Sequence, residues 1–264
     1  FFFLLFLVPR SPRWLVKMNI TEEAKQVLSK IGYIKLEEEV AEIQESLRQG
    51  RTKAQRLFSK RYFKPIYIAF LVAMFNQFSG INAILYYAPR IFELTGVSSA
   101  ESMLQPVLIG IINASFTIVG MMIVDKVGRK KLLIVGSVGM AICLGLISRV
   151  LYFENFTGYS VLVFLLTYIA FFAFSTGTVI WVLIAEVFPT NVRGKGQGLG
   201  SFTHWTFAAL ITFLFPTFSV TPEGSGYSFA FFSFMMVVQA IIVWLYFPET
   251  KGKSLEALEK DLLK

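Results

Sequence analysis

From residue 66 to residue 247 the chain repeats one pattern: a long apolar run, then a short polar or basic connection. The runs lie at about 66–92, 104–124, 132–153, 161–187, 198–219 and 227–247. Each reaches the roughly 20 mostly apolar residues that a bilayer-spanning helix needs. The pattern predicts an all-α membrane protein built as a six-helix transmembrane bundle. The first run breaks its own rule, because Asn76, Gln77, Ser79, Asn82 and the Tyr86-Tyr87 pair fall inside it. Amides at membrane depth are costly without partners, so this helix must face other helices or a water-filled cavity. Amides and aromatics without a carboxylate make a lining suited to a neutral, hydroxyl-rich solute.

Before the bundle, residues 9–64 switch to a helical spacing of apolar positions on a polar background. Thr21 is placed to cap a helix with Glu22 and Glu23 in its first turn and Val27, Leu28 and Ile31 as its apolar stripe. A second helix is expected from about Leu36 to Gln49. There Val40, Ile43 and Leu47 form the buried stripe and Glu37, Glu38, Glu39, Glu42 and Glu45 face water. These read as amphipathic helices at the cytoplasmic surface. Residues 1–8, FFFLLFLV, are too short to span and read as the end of a preceding transmembrane helix, which makes the chain a fragment. Residues 65–247 form the six-span bundle, and 248–264 a cytoplasmic tail.

Composition agrees: 55% hydrophobic and 16% charged residues are too apolar a mixture for an ordinary soluble domain. Charge then supplies orientation. All of the 25 lysines and arginines except Arg90 and Arg149 fall in 9–65, 125–131, 188–197 and 248–264. These segments alternate with connections at 96–103, 154–160 and 220–226. By the positive-inside rule both ends of the bundle are cytoplasmic, and the protein is a multi-pass protein of the plasma (inner) membrane. The net charge of +8 is thus a topology signal; it implies contact with the lipid bilayer and no nucleic-acid partner. Cys143, the single cysteine, is expected to pack as a small hydrophobe.

Local motifs narrow the class. PRSPRWL at 9–15, NQFSGINAILYYAP at 76–89, DKVGRKKL at 125–132, AEVFPTNVRGKGQG at 185–198 and FPETKGKSLEALE at 247–259 resemble, in this order, the signature segments of the sugar porter branch of the major facilitator superfamily. The similarity covers essentially the whole chain. It implies the second half of a twelve-helix fold, with the amino-terminal six-span half as a missing partner. It also implies transport of a monosaccharide, pentose or hexose, by alternating access, as sugar:proton symport. No cofactor other than the coupling proton is implied.

The resemblance also places a site. Asn76, Gln77, Asn82 and Tyr86 match the positions that bind sugar hydroxyls, an amide offering both donor and acceptor to adjacent hydroxyls. Gln77 lies about eleven residues into its span, roughly 17 Å deep and near the midplane, where transporter sites sit. Asn113, Phe172, Gly177 and Trp181 are expected around the same pocket, Trp181 stacking on the sugar ring. His204 and Trp205 stand where the family often has an amide followed by Trp, so a neutral His204 is expected to contact sugar. Asp125, Arg129, Glu186, Arg193 and Glu249 are expected as cytoplasmic gate ion pairs. Three positions depart from the family: Arg10 for an acidic residue, Asn76 for the first glutamine of a pair, and Thr178 for a proline, whose loss predicts a less kinked helix.

Other functions are weighed on the same residues. The glycines at 194, 196, 198 and 200 do not spell a phosphate loop. An enzyme is not expected, since no nucleophile has a base partner and no metal-ligand cluster occurs. A membrane sugar sensor that does not transport, or an inactive truncated fragment, are the alternatives.

Overall fold

The computed structural model describes residues 8–52, 56–93, 105–154, 160–189 and 191–252, with positions 258 and 262. The stub at 1–7, the connections 96–103 and 155–159 and most of the tail lie outside the described residues. The chain divides into two compact units, 1–56 and 57–264.

In the first unit, α1 (Pro12–Lys17), α2 (Thr21–Lys30) and α3 (Leu36–Thr52) pack around Leu15, Val16, Ala24, Val27, Leu28 and Val40. Two local expectations are corrected. Thr21 is the first helical residue, the cap position is Ile20, and no side chain caps the helix. Ile31 ends the helix instead of joining its stripe and is exposed. Lys25 bridges α2 and α3 by reaching Glu37 at 3.1 Å and Glu22 at 3.3 Å. Those hydrogen bonds, Glu37 first, raise the Lys25 ammonium above its ordinary pKa. The Arg10 guanidinium lies over the Trp14 ring at 5.5 Å.

The second unit contains six helical segments long and apolar enough to cross a membrane. In chain order they are a 3-10 turn (Lys60–Tyr62) continued by α4 (Phe63–Phe78) and α5 (Ile81–Glu93); α6 (Gln105–Val127); α7 (Arg129–Tyr152); α8 (Ser160–Phe172) joined to α9 (Thr178–Val187); α10 (Arg193–Phe218); and α11 (Pro222–Tyr246). The six predicted runs thus correspond to six observed spans, two of them interrupted. Leu57 and Tyr62 are buried among bundle residues.

Burial distinguishes the spans. The first, α4–α5, has 72% of its spanning window buried, against 17% for α6, so the amide-bearing helix is the enclosed one. α4 packs on α10 and α9, while α7 packs on α11 and α8. Cys143 is free and buried in the apolar core. Pro216 inside α10 has no N–H for the Thr212 carbonyl, which accepts the Tyr87 hydroxyl at 3.3 Å instead.

Candidate functional site

The first span breaks in its middle. α4 stops at Phe78, and Gly80 has φ +82°, a left-handed conformation that favours glycine. A Cβ there would also stand 2.5 Å from the Phe232 ring of α11. Nearby hydroxyls satisfy the interrupted backbone: Ser79 Oγ donates to the Asn76 carbonyl at 2.6 Å, and the fully buried Tyr168 donates to the Ser79 carbonyl at 2.9 Å. Such pairing is what non-helical backbone at membrane depth requires.

The break folds the polar residues of this span into one cluster. Asn82 Nδ2, just past it, donates back to Gln77 Oε1 at 3.1 Å. Gln77 Nε2 lies 3.1 and 3.2 Å from the two ring nitrogens of His204 on α10. A neutral imidazole has one acceptor nitrogen, so the amide donates to that one. The same Nε2 is 3.4 Å from Asn76 Oδ1, and Asn76 Nδ2 donates to the Thr176 carbonyl at 3.4 Å. Asn76 and Gln77 are buried, with 2% and 1% of their surfaces exposed.

Aromatic rings flank the amides. Trp181 and Trp205 each lie 5.1 Å from the His204 ring, centroid to centroid, and remain 43% and 62% exposed. The arrangement offers hydrogen-bonding amides and one imidazole beside an open indole face, with no charge. Tyr86 is exposed on α5. Asn113 is half-buried on α6, where its carbonyl accepts the Thr117 hydroxyl. Phe172 is buried and stacked on Tyr168 at 6.5 Å. No described hydrogen bond or ring contact joins Tyr86, Asn113 or Phe172 to the cluster.

Gly177 closes a five-residue π-helix, Ala173–Gly177, between α8 and α9. The substitution of Thr178 for proline therefore does not yield a regular α-helix. Thr178 Oγ1 donates to the Ala173 carbonyl at 2.7 Å, serving one group that the altered ladder leaves over.

At the basic ends of the helices a second, charged cluster forms. Arg129 Nη2 lies 2.7 Å from Glu186 and 2.9 Å from Asp125. Glu249 Oε1 accepts the backbone N–H groups of Arg129, Thr250 and Lys251 at 3.0 to 3.1 Å. The carboxylate thus sits at the N-terminus of α7, where the helix dipole favours an anion. Gly128 has φ +100°, and a Cβ there would meet Glu249 Oε2 at 2.5 Å. Glu186 also accepts the Thr250 hydroxyl at 2.7 Å. Arg193 Nε donates to the Phe188 carbonyl at 3.3 Å.

The residues that sequence reading missed are Thr176, Tyr168, Gln239 and Thr250. Gln239 carried the signal that singled out Asn76 and Gln77, a lone amide inside an apolar run. The hydroxyls carried none, since Thr and Tyr are ordinary in such runs.

A family model described as "Sugar (and other) transporter" matches residues 1–262. The chain belongs to the sugar transporter family. It is similar to the D-xylose-proton symporter of Escherichia coli (strain K12), with 38% identity over 98% of this chain and 54% of the relative. The arabinose-proton symporter of Bacillus subtilis (strain 168) is 35% identical over 100% of this chain and 57% of its own length. Among solved structures, the major facilitator superfamily proton:xylose symporter XylE bound to 6-bromo-6-deoxy-D-glucose superposes with a TM-score of 0.83 at 38% identity, over 98% of this chain and 56% of that one. This member of the family is therefore a multi-pass membrane protein with a major facilitator fold, from a family of transporters. It spans about half the length of the curated relatives it matches.

Proposed function

We propose that this chain forms the carboxy-terminal half of a monosaccharide transporter and supplies one wall of its sugar site. The observation that carries this is the cluster of the buried Asn76 and Gln77 with the half-buried Asn82 and His204, beside the exposed Trp181. Its members bond to one another, and each has the donor and acceptor capacity to exchange those bonds for sugar hydroxyls. Asn113, Phe172, Gly177, Tyr86 and Trp205 complete the pocket in the whole protein. Residues 9–64 connect the halves on the cytoplasmic side. The Arg129, Glu186, Asp125 and Glu249 cluster, with Arg193, acts as the inner gate, which opens when sugar binds the two states unequally. Proton coupling requires a carboxylate from the amino-terminal half. The acidic residues of the described spanning helices stand at helix ends, as Glu93, Asp125, Glu186 and Glu223 do.

The test is uptake of radiolabelled xylose, glucose and arabinose into cells expressing the chain together with an amino-terminal half. Uptake of at least one sugar that collapses in Gln77→Ala supports the proposal. A well-inserted protein with no uptake of any of them, or with uptake indifferent to Gln77→Ala, overturns it.

A further inference from the structure

Gln239 stands in the middle of α11, in the otherwise apolar run FMMVVQAIIVW, and only 1% of its surface is exposed. Its Nε2 donates to Thr176 Oγ1 at 3.4 Å, while its Oε1 is buried without a hydrogen-bond partner among the described residues. Turning the amide over does not remove the deficit. Thr176 would then donate to Oε1, and both N–H groups of Gln239 would lose their acceptor. A leucine of similar volume would remove the unpaired Oε1 and leave the Thr176 hydroxyl without its described partner in exchange, so packing of α11 alone gives no gain from an amide here.

The effect of the amide is on Thr176. That residue lies in the π-helix, where the hydrogen-bond ladder is out of step and the backbone has fewer constraints of its own. Its carbonyl is the acceptor for Asn76 Nδ2, and Asn76 Oδ1 faces Gln77 Nε2. A polar chain therefore runs from α11, through the π-helix, to the amide that faces His204.

We propose that Gln239 is a positioning residue of the sugar site: by holding Thr176 it sets the register of the π-helix against Asn76 and Gln77, and so tunes sugar affinity without touching the sugar. The inference rests on the reading of the Gln77 cluster as the sugar site, and it adds a residue of α11 that nothing in the cluster itself contains.

The experiment uses the full-length protein and the variants Gln239→Leu, Thr176→Val and their combination, with xylose uptake kinetics and thermal unfolding measured on each. Expected is a Tm for Gln239→Leu close to that of the unchanged protein, since one unpaired buried polar atom replaces another, with KM raised about threefold, the size of a typical interhelical hydrogen bond in a membrane. Thr176→Val should raise KM alike, and the double variant no further than either single one. An unchanged KM in Gln239→Leu overturns the proposal, and so does a lower Tm with uptake reduced only in proportion to surviving protein. Gln77→Ala separates the two levels. If uptake depends on Gln77 but is indifferent to Gln239, only the positioning role falls; if uptake is absent or indifferent to both, the sugar-site reading falls and this inference with it.

Discussion

The two polar clusters of the bundle solve opposite problems. Around Gln77 the groups are neutral, buried or half-buried, and bonded through hydrogen bonds of 3.1 to 3.4 Å. Around Arg129 they are charged, with ion pairs of 2.7 and 2.9 Å and partners whose exposure ranges from 22% for the Glu186 side chain to 78% for Asp125. A neutral amide network can trade its bonds for a solute at small net cost, because each exchange is hydrogen bond for hydrogen bond. A buried charge cannot be left alone, so an Arg–Glu pair holds until both partners find water or new partners. The first arrangement suits reversible binding, the second suits a latch.

Predictions follow from that contrast, beginning with the largest. Gln77→Ala removes the centre of the neutral cluster and should lower kcat/KM for sugar uptake about 10- to 100-fold, since His204, Asn82 and Asn76 lose a shared partner. Because no charge is involved, the ratio should be the same at low and high salt; a ratio that shrinks in salt would erase the distinction. Arg129→Gln strands Glu186 and should destabilise the protein by about 2–4 kcal/mol, less than a fully buried pair because Glu186 keeps some contact with solvent. Its Tm deficit should narrow as ionic strength rises, and a deficit independent of salt would count against a charged latch. His204→Gln keeps a donor and an acceptor facing Gln77 while changing their placement. It should alter the preference among xylose, arabinose and glucose by about 2- to 10-fold, with Tm nearly unchanged; equal effects on all three sugars would remove His204 from the selective surface. Asp125→Asn should be the mildest, at most about 0.5 kcal/mol by thermal unfolding, because the carboxylate is exposed.

The sites were legible to different degrees. Asn76, Gln77 and Asn82 stood out because an amide inside a spanning run demands a partner, and His204 because it is the single histidine. Their convergence was not visible, since Gln77 and His204 are 127 residues apart. Of the expected gate charges, Asp125 and Arg129 pair, and Glu186 meets Arg129 and Thr250, while in the contacts described Glu249 accepts backbone N–H groups and Arg193 serves the Phe188 carbonyl. Thr21 was misjudged as a cap because capping depends on backbone angles, and here Ile20 takes that position.

Six spans, their order and the enclosed character of the first were set by sequence alone, because apolar length and the cost of unpaired amides in a bilayer are local properties of the chain. The break at Ser79-Gly80, the π-helix at Ala173–Gly177 and the line from Gln239 through Thr176 to Gln77 were decided only in the tertiary structure. Each depends on a group from a distant helix. Phe232 fills the space beside Gly80, Tyr168 takes up the freed Ser79 carbonyl, and Gln239 holds Thr176. Hydrogen bonds between helices are short-range and directional, so only packing can say which of the many buried polar groups will meet.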